Sequence, residues 1–411
     1  MSEPLPLSSG LDRSWFFRPR TFLAGLAAGL ALCSAVARRV SHPGYHDAFT
    51  RFTPVLSPEG QYYPTLEEMC GIARARCRPD QVLVIVGGNS IFNGVGQPAE
   101  KLWTVELQRR LGDRFVVLNF AFRGALCTDG GAVVAEALRR EYPRQVYVAN
   151  ALPFGQPLAY GADPYRYLFW EALRSGRLED FAPRNERVAW VKAHQYTWAE
   201  RFDLWGRDEM DRALRFRDLW NWVGYEHYFT IPSPVTPTLP EATWARKRFA
   251  DAEPDFEAMP LADRLRPEFR DAEMRIVRGF SEGSYERGAD GGWRLRASVP
   301  AEFAQLAKAA FPDDLKGRTL IMLSRNNPFY VGQLSADELL RDSAAFRDSV
   351  EEWRRAGYEA SDYGSGYEPA DFGDRTHLSA SGGRKLAGQV ADLVMELSRR
   401  RGYMEGNAPA P

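Results

Sequence analysis

A serine, a histidine and an aspartate in this chain have the types and spacing that acyl transfer requires. Ser90 follows the apolar run Val82 to Val86 through Gly87, Gly88 and Asn89, so its hydroxyl falls in a glycine-rich turn between a strand and a helix. Open α/β sheets place their ligands at the carboxyl ends of such strands. His377 is the candidate base that takes the serine proton. Asp374, three residues before it, is close enough in a tight turn to accept an imidazole N–H, fix the tautomer and stabilise the imidazolium. Substitution of this aspartate by Asn is expected to be milder than loss of Ser90 or His377. Taken singly, each residue also has a plainer reading: Asn89 and Ser90 as a polar turn or helix cap, His377 as a surface residue at a helix start, Asp374 as an N-terminal cap.

The elements that must position these residues alternate along the chain. Strands are predicted over Val82 to Val86, Phe115 to Asn119 and Gln145 to Asn150, with helices over Pro98 to Leu111 and Asp129 to Tyr142 between them. The alternation stops near Pro153. It resumes with a strand over Thr319 to Ser324, a helix over Ala336 to Ala356, a short strand over Tyr358 to Asp362 and a last helix over Leu378 to Arg400. Strand and helix at this spacing predict an α/β fold with a doubly wound parallel sheet, built from residues 82–153 and 318–400. Residues 154–317 read as a mostly helical insertion between the third and fourth strands, with a helix over Asp208 to Gly224. Trp170, Trp190, Trp198, Trp205, Trp220, Trp222, Trp244 and Trp293 fall within it, to roof the site or to make a core of its own. Residues 41–81 read as an irregular lead-in and 401–411 as a flexible tail.

Four blocks along the chain carry a family resemblance. Gly87-Gly88-Asn89-Ser90-Ile91, with Gly94 after it, resembles the first block of the SGNH/GDSL hydrolases, with Asn89 where Asp is usual. Asn119 to Gly124 is similar to the second block, Val148-Ala149-Asn150-Ala151 to the third (keeping only its Asn), and Asp374-Arg375-Thr376-His377-Leu378 with Gly382 to the last. They occur in family order and together reach from about Val82 to Leu397, apart from the insertion. The resemblance implies a flavodoxin-like sheet, the catalytic set Ser90, Asp374 and His377, and an oxyanion hole made by the backbone N–H groups of Ser90 and Gly124 with the side-chain amide of Asn150. Gly124 suits close approach because it has no Cβ. The stretch Tyr363 to His377 is also similar to membrane-anchored D-alanyl transfer proteins.

Thr21 to Ala37 is an uncharged run of small and apolar residues, preceded by Arg13, Arg18 and Arg20 and followed by Arg38 and Arg39. It reads as a membrane anchor within residues 1–40, with a signal peptide cleaved after Ala35-Val36-Ala37 as the alternative. The expected location is the cytoplasmic membrane, with the catalytic part extracytoplasmic, or a secreted or periplasmic form after cleavage. In the 411 residues, 53 Lys and Arg balance 54 Asp and Glu, which leaves no basic field for nucleic acid. The spacing of Cys70 and Cys77 matches no zinc pattern, so no metal or other cofactor is expected. Those two cysteines either close a short disulfide loop or pack reduced on one side of a helix. The expected activity is that of a serine esterase or O-acyltransferase acting on a small acyl ester or an acylated glycan of the cell envelope. A non-catalytic glycan-binding or assembly protein that kept the fold is the alternative.

Overall fold

The computed structural model describes residues 19–40, 49–51, 66–155, 193–214, 254–265 and 267–404. In chain order these form α1 (Pro19–Val40), α2 (Leu66–Arg76), β1 (Val82–Gly87), α3 (Ser90–Asn93), α4 (Trp103–Leu111), β2 (Phe115–Asn119), α5 (Gly131–Leu138) and β3 (Gln145–Ala151). Then come α6 (Trp198–Leu214), α7 (Arg270–Glu282), β4 (Tyr285–Arg287), β5 (Trp293–Leu295), α8 (Ser298–Ala310), β6 (Thr319–Ser324), α9 (Ala336–Arg355), β7 (Glu359–Tyr363) and α10 (Ala380–Arg400). Contacts divide the chain into two units, one holding α1 and α6, the other holding the sheet and its surroundings.

Five strands of the second unit form one sheet in the order β2-β1-β3-β6-β7, every pair parallel. Strand period two explains how both faces are covered. Leu83, Ile85, Tyr147, Ala149, Ile321 and Leu323 point into a core with α2, α5, α8 and α9. Val82, Val84, Val86, Val146, Val148, Leu320 and Met322 point into the opposite core with α4 and α10. The architecture is therefore α/β, a five-stranded parallel sheet with helices on both faces, compatible with a doubly wound fold. The sheet-strand order, counted along the chain as 2-1-3-4-5, reverses direction at β1 and β3, the place where such sheets open a ligand crevice.

Several elements differ from the sequence-based expectation. The helix expected from Pro98 is interrupted: Ala99–Lys101 is a 3-10 turn, Leu102 is extended, and α4 begins at Trp103, whose N–H is taken by the Gln97 side chain. The second helix is shorter than Asp129 to Tyr142, and the last starts at Ala380 because Leu378 is bridged to Phe372. The lead-in 41–81 contains α2, which carries Cys70, with Cys77 just beyond it; both side chains are buried and no disulfide joins them. In the stretch expected to be mostly helical, β4 and β5 form an antiparallel hairpin, and Trp293 lies under the guanidinium groups of Arg287 and Arg341. Trp198 and Trp205 are exposed rather than part of a core. The Asp208 to Gly224 helix is present to Leu214, and its remainder lies outside the described residues, as do Trp170, Trp190, Trp220, Trp222 and Trp244.

Candidate active site

The turn after β1 is built for close approach. Gly88 has φ +103, and a Cβ there would come within 2.1 Å of Asn150 Oδ1, so only glycine fits. Asn89 caps α3 by accepting the Ile91 N–H at 2.9 Å, which leaves Ser90 as the first helical residue. The next segment is laced to this turn: Phe120 N–H bonds Val86 O at 2.8 Å, Phe122 N–H bonds Gly88 O at 3.0 Å, and Asn93 Nδ2 donates to Ala121 O at 2.9 Å. That lacing ends at Gly124, in the left-handed region with φ +74. Neither the Ser90 N–H nor the Gly124 N–H has a hydrogen-bond acceptor among the described residues.

Ser90, His377 and Asp374 meet although 287 positions separate the first two. Ser90 Oγ lies 2.8 Å from His377 Nε2, and His377 Nδ1 lies 2.6 Å from Asp374 Oδ2. The other carboxylate oxygen, Asp374 Oδ1, accepts the backbone N–H groups of Thr376 at 2.8 Å and His377 at 2.7 Å. Burial pushes the Asp374 carboxyl up, but the His377 imidazole and these N–H donors outweigh it and hold the group well below the usual carboxylate range. Asp374 is therefore ionised at neutral pH, with one oxygen serving the loop and the other the imidazole.

The loop carrying Asp374 and His377 is pinned from several sides. Asn327 donates its backbone N–H to Arg375 O at 2.7 Å and its side-chain amide to Asp374 O at 3.0 Å. Arg375 reaches Glu273 and Asn326, both at 2.7 Å. Buried Gln97, just past the serine turn, donates to Leu378 O at 3.1 Å. Arg264 donates to Ala370 O at 2.9 Å and Phe372 O at 3.2 Å. The Phe256 ring lies between the two halves: a Cβ on Gly96 would come within 2.0 Å of it, and one on Gly373 within 1.7 Å.

Asn150, at the end of β3, is placed beside the serine turn but bonds Asn89 and Ser324 rather than Ser90. Its Oδ1 accepts the Asn89 N–H at 3.0 Å, and its Nδ2 donates to Asn89 Oδ1 at 2.8 Å and weakly to Ser324 Oγ at 3.4 Å. Backbone donors on Asn150 Oδ1 and on Asn89 Oδ1 fix both amide orientations. Ser324 in turn shares a short hydrogen bond with Tyr363 at the end of β7; burial holds that phenol well above its ordinary value and therefore neutral. Sequence reasoning missed Ser324, Tyr363, Gln97, Phe256 and Arg264. For the first two the only local signal is a polar group closing an apolar strand; the other three carry none.

Burial raises the Cys77 thiol to about 11 and that of Cys127 to about 12, so neither offers a thiolate nucleophile at neutral pH. Among the described residues no cluster of three His, Cys, Asp or Glu could hold a metal ion. His42, His46 and His227 lie outside those residues. No protein-family model matches the chain, and no curated protein matches it at a significant level.

Proposed function

We propose that this chain is a serine esterase or O-acyltransferase of SGNH/GDSL type, held at the membrane by α1, which acts on an acyl ester of a cell-envelope or exported glycan. The observation that carries the reading is the continuous hydrogen-bond chain from Ser90 Oγ through the His377 imidazole to the ionised Asp374. Ser90 Oγ attacks the acyl carbon while its proton passes to His377 Nε2, and Asp374 stabilises the imidazolium. The carbonyl oxygen, now negative, is received by the Ser90 and Gly124 N–H groups, the two donors left without acceptors, and by Asn150 once its weak bond to Ser324 gives way. His377 returns the proton to the departing alkoxide, leaving an acyl-enzyme on Ser90. Water or an acceptor hydroxyl then attacks, again with His377 as base. Exclusion of water at that stage decides between hydrolysis and transfer.

The resemblance of the four sequence blocks supports the family, and the 2-1-3-4-5 sheet order is compatible with it. In this reading residues 154–317 are an insertion whose segment around Phe256 braces the reaction loop and whose remainder selects the acceptor. Among the described residues one apolar helix, Pro19–Ala37, is long enough to cross a membrane and fits either a retained anchor or a signal sequence; we adopt the anchor, with the sheet unit extracytoplasmic.

The test is covalent labelling and turnover. Wild-type protein should react at Ser90 with a fluorophosphonate and release acetate from short acyl esters. Ser90→Ala should abolish labelling and lower turnover on the order of 10⁴-fold or more, and the Ser90→Ala/His377→Ala double variant should be scarcely worse, because the two groups act as one unit. Full activity in folded Ser90→Ala, or multiplicative losses in the double variant, refutes the mechanism and favours a glycan-binding protein.

A further inference from the structure

The unit that holds α1 also holds α6, and the two helices pack against each other. Half of the exposed large hydrophobic side chains among the described residues belong to this pair: Phe22, Leu23, Leu26 and Leu32 on α1, Trp198, Phe202 and Trp205 on α6. On α1 the exposure has an explanation in its length and hydropathy, since a helix entering a bilayer is solvated by lipid. On α6 it needs another.

Trp198, Phe202 and Trp205 recur at i, i+4 and i+7, so they share one face of the first two turns. They are 78%, 59% and 45% exposed, and neighbouring rings lie 6.1 and 5.6 Å apart, a continuous aromatic stripe rather than scattered residues. Leu204, off that stripe, is buried. The helix cannot itself cross a membrane, because eight of its 17 residues are Asp, Glu or Arg. A tryptophan-rich face on a charged helix belongs at the boundary between headgroups and acyl chains, where an aromatic ring has both an apolar and a wet side. Coverage along α1 agrees: after Thr21 at its start, the less exposed positions are Leu30, Ser34, Val36 and Ala37, in the C-terminal half, where the apolar run nears its end.

We infer that α6 lies in the interfacial layer of the bilayer that α1 enters, with Trp198, Phe202 and Trp205 against lipid, so that the chain touches the membrane twice. A stretch some 160 residues after the anchor is thereby returned to the membrane surface. The inference rests on α1 being retained as a span.

Cys33 on α1 is native and exposed, which supplies an internal reference. Full-length protein in phospholipid nanodiscs is labelled with a small fluorophore at Cys33, or at position 202 in a Cys33→Ser/Phe202→Cys variant, with Cys33→Ser alone as the blank. Phe202 is exposed enough that its replacement leaves the core intact. Lipids carrying a nitroxide high on the acyl chain should quench the probe at 202 about twofold more than lipids carrying it deep, the depth expected of an interfacial helix. The Cys33 probe should respond to both. Quenching at 202 by aqueous iodide alone overturns the inference while the Cys33 result upholds the span. Shielding at 202 from lipid and iodide alike, dependent on protein concentration, overturns it in favour of a second copy on the stripe. Loss of lipid quenching at both positions, or a mature chain lacking α1, overturns the span and the inference together.

Discussion

Asp374→Asn replaces one carboxylate oxygen by NH₂, and the loop decides which one. The N–H groups of Thr376 and His377 converge on Oδ1 at 2.8 and 2.7 Å, and both demand an oxygen there. Turning the amide the other way would forfeit two such bonds, each worth about 1.5–3 kcal/mol to a charged acceptor and less to an amide, and would set donors against donors. The amide nitrogen therefore faces His377 Nδ1, which must now accept. The imidazole proton moves to Nε2 and points at Ser90 Oγ, so the base is no longer available. The same change in a serine triad costs about 10⁴ in turnover, equivalent to about 5.4 kcal/mol in the barrier. The geometry thus argues for a loss comparable to that of Ser90, larger than spacing alone suggested. Steady-state hydrolysis of a chromogenic acetate measures the loss, and ¹⁵N spectra of the His377 ring report the tautomer. Activity within about tenfold of wild type, with the proton still on Nδ1, refutes the reasoning.

Acidification should separate the same pair of proteins by stability. A carboxylate whose native value is depressed stabilises the fold above its unfolded value and loses that contribution as pH falls through the native one, so the advantage of wild type over Asp374→Asn should hold down to about pH 5 and narrow below about pH 4. Denaturant titrations across that range check the sign, and a gap that widens on acidification contradicts it. Asn150→Ala should lower kcat by roughly 10² to 10³ with little change in KM if its amide reaches the transition state. It also strands the Asn89 N–H, at about 1–3 kcal/mol, and a fall in Tm with unchanged kcat would leave Asn150 a purely structural role. Phe256→Ala should destabilise the protein by less than the roughly 3–5 kcal/mol of a fully buried phenylalanine, because this ring is only half-buried, and should lower kcat by loosening the Gly96 and Gly373 contacts. Unaltered kcat at a lowered Tm would show that the ring supports the fold but not the site.

Local pattern made most of the sheet legible. Phe115–Asn119 and Thr319–Ser324 are strands over the residues their apolar runs span, and β1 and β3 run one residue past expectation, because burial on both faces favours continuous apolar runs; β7, without such a run, is shifted by one residue from the expected Tyr358 to Asp362. Helix starts were less legible. α4 is capped by Gln97 from six residues away, and Leu378 is drawn into a bridge with Phe372, partners that helical periodicity does not contain. The three-residue strands Tyr285–Arg287 and Trp293–Leu295 are too short and too charged to show alternation.

The candidate site divides in the same way. Residue types, the glycine turn and the i, i+3 spacing of Asp374 and His377 are properties of the sequence, and they were enough to nominate the chemistry. That Ser90 Oγ stands 2.8 Å from His377 Nε2 is not, because parallel strand pairing and the packing of α10 against α4 bring the two segments together from opposite ends of the chain. Nor does the sequence say which way a hydrogen bond runs. The donors converging on Asp374 Oδ1, the mutual bonds of Asn89 and Asn150, and the N–H groups of Ser90 and Gly124 left without acceptors depend on backbone direction, and backbone direction is settled only when the whole sheet and its loops are in place.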